Sequence, residues 1–517
     1  MTALRALSLL ALTAVLTCQP HALGQDFAGV LTWHNNNSRT GLNSQETILT
    51  PANVRTKTFG KLFSRPVRGQ IYAQPLYVPD VSIPGKGAHN VVYVATEHDQ
   101  VYAFDADGLG TKPLWQRSFI DPAHGITTVS TRGSPCKSLL PEVGITSTPV
   151  IDPATGTLYL VAATDEKGTV VQRLHALDIA TGAEKFHGPA VIQASSNGVV
   201  FDPRQIQRAA LLLEKGGVYL GFASLCTPRA YHGWLLEYSA TNLQTPPLVF
   251  LTTPTGVKGG IWQSGAGPAS DGASIYLGDG DGTFDADKGG INYGMSLLRL
   301  TSGPELTVAD YFTPFNERSL SKQDLDLGSG GILLLPKQAG DHTDELIEAD
   351  KTGTIFVVDR LRMGKFNPKK NDVVEAVQGS QNGYYSSAAY WRQNIYYSGI
   401  DDNLSMYSVT EGLLSSKPVS IAPTKFRFPG CTPSLSANGM SDGIVWAIEP
   451  FVLTQRGPAA VLHAYDATNV SRELYNSKQN AKRDTPGVQQ KYSVPTIANG
   501  RVYMGTQTEL DVYGLLH

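Results

Sequence analysis

One alternating unit recurs along nearly the whole chain, and it is most legible at Val91–Asp105, VVYVATEHDQVYAFD. Apolar residues dominate there with a period of two, Glu97 to Gln100 form a polar turn, and the alternation resumes before a second turn at Ala106–Gly110. A third short strand, PLWQRSF, follows at Pro113–Phe119. This spacing predicts two strands joined by a tight turn, then one more, as a small antiparallel sheet. Copies stand at Thr157–Phe186, Gly216–Ala240, Ala273–Leu300, Glu345–Arg360, Gln393–Val409, Asp442–Ala467 and Asn499–Leu516. Their period of roughly 50–70 residues means one small sheet per repeat, with insertions in several turns.

A unit of this size cannot bury both faces alone, so neighbouring units must stack, and radial stacking predicts a β-propeller. The expected fold is all-β, with eight blades of four antiparallel strands. Asp26–Ser64 precedes the first full repeat, with a polar, turn-rich stretch at Thr32–Asn43 and an alternating strand at Lys61–Val67, whereas the last repeat ends at His517 without its outer strand. Closure of the ring by that N-terminal strand is therefore expected, since it removes the exposed sheet edge. Segments rich in proline and small residues, such as Ile145–Ile151, Ala266–Ser270, Ser386–Ala389, Thr432–Leu435 and Tyr492–Ile497, suit inner strands crowded around a channel. One domain over 25–517 accounts for the whole repeat.

The first 24 residues read as a signal peptide. Arg5 gives a positive start, Ala6–Leu16 an apolar core, and Ala22-Leu23-Gly24 a small-x-small cleavage site. The expectation is export to the periplasm or the medium, with a lipoprotein form centred on Cys18 as the alternative. No later stretch is apolar enough for a transmembrane segment. A net charge of −3 with no like-charged run argues against a nucleic-acid partner. Export permits disulfides, and Cys136, Cys226 and Cys431 remain after cleavage. Either Cys136 and Cys226 pair through loops on one face, or all three are buried thiols.

Two stretches look chemical. Gly278–Gly290, GDGDGTFDADKGG, carries Asp279, Asp281, Asp285 and Asp287, oxygen donors of the kind hard cations take from turns. Lys322–Gly331, KQDLDLGSGG, opens a glycine-rich turn with Asp324 and Asp326, either a base or cation ligand or plain turn acceptors. No HExxH, paired CxxC, GxSxG, phosphate-cradling loop or CxxCH haem motif is present.

The repeat form VYVATEHDQVYAFDA followed by LW resembles that of the pyrroloquinoline quinone (PQQ) propellers, the eight-bladed fold of quinoprotein alcohol and sugar dehydrogenases and of related non-catalytic proteins. The resemblance implies a cofactor site of PQQ and Ca²⁺. Gly259-Gly260-Ile261-Trp262 is similar to the context of the tryptophan on which the quinone lies, and Gly280-Asp281-Gly282 takes the place of a metal-ligating Asn. The family's catalytic Asp, which also borders the cation, falls on Asp326, and its quinone-contacting Lys on Lys351. Three positions depart. The family's metal-ligating Glu is replaced by Cys226-Thr227-Pro228, its adjacent-cysteine disulfide is represented by Cys136 alone, and its Asn-Trp pair by Tyr384-Tyr385.

The implied activity is oxidation of an alcohol or sugar, with Asp326 as proton acceptor. Two other classes stand beside it. A non-catalytic propeller would bind a glycan or protein partner through exposed aromatics, drawn from Trp33, His34, Tyr231, His232, Trp234, Tyr384, Tyr385 and Trp391. A polysaccharide hydrolase or lyase would use Asp281, Asp326 or His232. Convergence of Trp262, Asp281, Asp326 and Lys351 on one axial pocket is the demand that separates the first class from the others.

Overall fold

The chain forms a ring of eight β-sheets, seen in a computed structural model that describes residues 27–132, 139–224, 230–450 and 457–516. Blade 1 runs from its inner strand Leu76–Ile83 through Gly87–Thr96 and Gln100–Asp105 to Trp115–Ser118. Inner strands of blades 2 to 8 are Val150–Asp152, Leu212–Glu214, Ala269–Ser270, Leu333–Leu334, Ala389–Trp391, Ser434–Asn438 and Thr496–Ala498. Several are only two or three residues long, as crowding at the axis requires. Insertions add short strands to some blades, for example Ile126–Ser130 on blade 2 and Lys365–Phe366 on blade 4.

Period-two alternation with both faces apolar has a direct structural cause. In the second strand of blade 1, Val91, Tyr93 and Ala95 pack toward blade 2, while Val92 and Val94 pack toward blade 8. In blade 2, Leu158, Leu160 and Ala162 face blade 1, whereas Tyr159 and Val161 face blade 3. Each of these side chains is nearly fully buried, and each valine or leucine among them contributes about 1.5–3 kcal/mol.

Closure follows the expected exchange. Phe59–Pro66 is the outer strand of blade 8 and pairs antiparallel with Glu509–Leu515, with a bulge between Lys61 and Phe63. Lys61 places its ammonium 2.6 Å from the buried carboxylate of Asp511, and Ser64 donates to the same group at 2.8 Å.

The stretch before that strand does more than its polar composition suggests. Residues 30–43 thread the axis and bond to the inner part of every blade. Val30 bridges Tyr77, Leu31 accepts from Ile151, and Asn37 both donates to Leu213 and accepts from Ser270. Ser38 accepts from Leu334 and Thr40 from Tyr390, Leu42–Asn43 pairs with Leu435 and Ser436, and the Asn43 amide donates to Ile497. Arg39 is fully buried, donating to the carbonyls of Trp33 and Pro268 and to the hydroxyl of Thr32. The ring of His34 lies between the carbonyls of Arg39 and Pro433. This plug fills the axis alongside the inner strands themselves and leaves open the end of the axis lined by segments that lead into them.

Candidate functional site

The open end holds a cavity of about 490 Å³, bordered by turns that leave second strands or enter first strands of blades 3 to 6 and 8. Trp262 comes from the turn entering blade 4 and is half-buried against Tyr72, Ile206 and Ala223. Asp281 follows the blade 4 strand Ile275–Gly278, and Asp324 and Asp326 follow the short helix Glu317–Lys322 on the way into blade 5. Lys351 follows the blade 5 strand Glu345–Ala349, while Tyr385 and Tyr492 stand before the inner strands of blades 6 and 8. All seven line the cavity, with Tyr231 and Lys258 of blade 3.

One carboxylate oxygen each of Asp281, Asp324 and Asp326 lie within 4.8 Å of one another. Asp326 Oδ1 accepts the backbone N–H of Asp281 at 2.7 Å, and its Oδ2 accepts Lys351 Nζ at 2.5 Å. Lys351 also donates to the carbonyl (2.9 Å) and Oδ1 (3.2 Å) of Asp324 and sits 5.3 Å from the ring centre of Tyr385. Lys258 pairs with Asp281 Oδ2, and the Tyr231 hydroxyl approaches Asp281 Oδ1 at 3.4 Å. Glycine at 280 eases the approach of Asp326, since a Cβ there would stand 3.1 Å from its Oδ1. At Gly328 a Cβ would meet the backbone of Gly278 at 2.5 Å, so the two turns could not lie together.

The electrostatics follow from these contacts. Burial alone would lower Lys351, but Asp326, Tyr385 and Asp324 outweigh it and hold the ammonium above its ordinary value. Asp281 likewise raises Lys258. Burial raises Asp324 above the usual carboxylate range against the pull of Lys351. Beyond the carboxylates, the ring of Tyr492 lies between two cations, Arg208 at 5.1 Å and Lys491 at 5.5 Å. Arg208 is 1% exposed, and Lys491, 8% exposed, is pulled down to about 8 by burial beside Arg208. Neither forms an ion pair among the described residues. The cavity thus has an acidic lip with Lys258, Lys322 and Lys351, while Arg208 and Lys491 stand beside Tyr492 outside its lining.

The structure separates the other predicted residues. Tyr384 is buried, its ring tilted against that of Tyr397 with centroids 4.4 Å apart, and only its neighbour Tyr385 reaches the cavity. Asp279 is fully buried, accepting the Ser296 N–H; Asp285 caps its own loop through Asn292; Asp287 is exposed. Of the four carboxylates in that stretch only Asp281 joins the cluster. The expected aromatic face is not formed: Trp33, His34, Trp234, Tyr384 and Trp391 are at most 3% exposed, because flat side chains fill the seams between blades and the axis. Tyr231, His232 and Tyr385 remain half-buried, with the His232 ring on the Thr253 carbonyl. Cys431 is a buried free thiol, pushed up to about 12 by burial. Cys136 and Cys226 lie outside the described residues. Lys258, Arg208 and Lys491 carried no signal in sequence, since no repeat or spacing marks a cation that the fold alone brings to the axis.

No protein-family model matches the chain, and no curated protein matches it in sequence. Solved structures do. The quinohemoprotein alcohol dehydrogenase of Comamonas testosteroni matches with a TM-score of 0.61 at 15% identity, over 94% of this chain and 80% of that one. A europium-containing methanol dehydrogenase gives 0.56 at 14%, over 94% and 98%, and BamB from Moraxella catarrhalis 0.50 at 14%, over 88% and 99%. The chain is an eight-bladed propeller with a carboxylate-lined axial cavity. Its fold is the one seen in quinoprotein alcohol and methanol dehydrogenases, and at these identities the fold is what they share.

Proposed function

We propose that the chain is an exported quinoprotein-type oxidoreductase that oxidises an alcohol or sugar hydroxyl in the axial cavity, using PQQ and Ca²⁺. Convergence of Trp262, Asp281, Asp326 and Lys351 on one cavity supports this reading above all else. The donor set suits the cation: oxygens bound to one Ca²⁺ at about 2.3–2.6 Å stand no more than about 5 Å apart, and the three carboxylates meet that limit. The cavity is of ordinary size for a cofactor site.

Trp262 would hold the quinone plane, with Tyr385 and Tyr492 across the cavity, and Asp281, Asp324 and Asp326 would hold the cation. When bound, the quinone and its cation supply a two-electron acceptor that no side chain offers. The protein's own part is proton transfer and positioning. Asp326, fixed by the Asp281 N–H and Lys351, would accept the substrate hydroxyl proton, and Asp324 beside it presents a more open carboxylate. Lys351 balances the charge of both. With no haem motif in the chain, electrons would leave to a separate acceptor.

The test is dye-linked oxidation of simple alcohols and sugars by the mature protein loaded with PQQ and Ca²⁺. Alcohol-dependent dye reduction in the wild type that falls by about 10²–10⁴ in Asp326→Asn supports the reading. Quinone-independent behaviour, with no dye reduction, removes it.

A second reading, a non-catalytic propeller that docks a protein or glycan partner, draws on an apolar cleft of about 780 Å³ between blades 2 and 3. It is walled by Val170, Val191, Ile192, Val200, Phe201 and Pro246. That reading predicts no quinone binding and leaves the axial carboxylates structural.

A further inference from the structure

Lys258 is an unusual residue for the place it holds. Its φ is +67°, in the left-handed region that a non-glycine residue adopts only under strain. The backbone is clamped there: its N–H donates to the Tyr231 carbonyl at 2.6 Å, and its carbonyl accepts the Gly233 N–H at 3.1 Å and the Thr253 hydroxyl at 2.8 Å. Lys258 also bridges His232 on one side and Gly282, next to Asp281, on the other. The outcome of this clamp is an ammonium seated on Asp281 Oδ2.

The two lysines of the cluster differ in freedom. Lys351 is 10% exposed and bonded to both Asp324 and Asp326, so it stays with the cluster. Lys258 is 48% exposed and holds Asp281 alone, so its side chain can swing into water without moving any backbone. Three carboxylates and Lys351 leave a formal charge of −2, which a divalent cation cancels. With Lys258 in place the charge is −1, and one ligand oxygen is taken.

We propose that Lys258 is a tethered counter-ion of the Asp281–Asp324–Asp326 cluster, seated on Asp281 until a multivalent cation displaces it, and that it thereby excludes monovalent ions and weakens Ca²⁺ binding. The inference rests on the reading that this cluster takes a cation. Its physical basis is competition at high effective concentration: a tethered ammonium stands near its carboxylate at millimolar or higher effective concentration. A monovalent ion that replaces it gains no charge, whereas a divalent ion gains one and a trivalent ion two. With its lysine end half-exposed and screened by solvent, the pair can be broken by such an ion.

The experiment is calorimetric titration of the mature full-length protein with Ca²⁺, together with Tb³⁺ emission titrations, for wild type, Lys258→Met, Lys258→Gln and Asp281→Asn, without any quinone. Expected are Ca²⁺ and Tb³⁺ affinities at least tenfold tighter in both Lys258 variants, Na⁺ competition that appears only in them, and affinity lost in Asp281→Asn. Unchanged or weaker binding in both Lys258 variants, with Asp281→Asn still abolishing it, overturns the tethered counter-ion while the cation site stands. No binding to any of the four proteins overturns the cation reading itself, and the proposal with it. Agreement between the Met and Gln variants guards against a folding defect peculiar to one of them.

Discussion

The backbone N–H of Asp281 donates to the carboxylate of Asp326 across 2.7 Å, tying the loop that leaves blade 4 to the connection that enters blade 5. Two acidic residues 45 positions apart are thereby held together by a hydrogen bond rather than driven apart by like charge. Lys351 pairs with Asp326 and Lys258 with Asp281. Removing either lysine therefore changes the field of the whole cluster, whereas Asp326→Asn keeps an acceptor for the Asp281 N–H but removes both the charge and the Oδ2 acceptor of Lys351.

Trp262 should carry quinone binding. Replacing it by Ala removes a flat apolar surface at the cavity wall, and affinity for PQQ is expected to fall at least about tenfold. Trp262→Phe should recover most of that loss. Equal affinity in all three proteins would place the quinone elsewhere.

Lys491 and Arg208, which form no ion pair among the described residues, should favour anionic ligands near Tyr492. Lys491 loses its charge near pH 8, so affinity for PQQ is expected to drop between about pH 7 and 9 in the wild type and to stay flat in Lys491→Met. The uncharged trimethyl ester of PQQ should bind both proteins alike at every pH. A wild-type profile as flat as the variant's would contradict this role.

Stability should depend on the axial plug. Arg39→Ala leaves buried carbonyls of Trp33 and Pro268 without their donor, and a loss of about 2–5 kcal/mol in denaturant unfolding is expected. A loss within about 0.5 kcal/mol would show that the plug adds little to the ring.

Glu97 gives a pH dependence of known sign. Burial pushes its carboxyl up to about 7 in the folded ring, against the Gly144 N–H and Thr146 hydroxyl that favour the charged form. In the unfolded chain it titrates near 4.5, so the folded state binds the extra proton between those values. Its stabilising effect is full below about pH 4.5 and is lost as the pH rises through 7, a change of about 3 kcal/mol at most. Glu97→Gln should remove that slope and leave the protein more stable than wild type at pH 8. Parallel unfolding profiles for the two proteins would refute the assignment.

Much of the ring was legible because the blade repeat is written in the core: Val91 to Thr96 alternates between two neighbours, and any propeller strand with both faces covered must do so. The closing strand was placed two residues late, at Lys61–Val67 rather than Phe59–Pro66, since Phe59 and Gly60 lack alternation. The plug was not legible. Thr32–Asn43 has no period, and its partners are backbone carbonyls and amides scattered over the chain, as with His34 and Pro433, 399 positions apart. In the site, Trp262, Asp281, Asp326 and Lys351 could be named from local motifs. Tyr384 was misplaced because adjacent tyrosines point to opposite sides, one into the seam with Tyr397 and one into the cavity. Lys258 escaped notice since only the folded ring shows its strained backbone against Asp281.

The most direct measurement is equilibrium titration of the purified mature protein with PQQ, with and without Ca²⁺, following quinone absorbance and tryptophan emission, in wild type and Asp281→Ala. The quinoprotein account predicts saturable binding that strengthens with Ca²⁺ and is lost or becomes Ca²⁺-independent in the variant. Absence of PQQ binding at any Ca²⁺ concentration in a folded wild-type protein would contradict it, and leave the likeness to quinoprotein dehydrogenases one of fold alone.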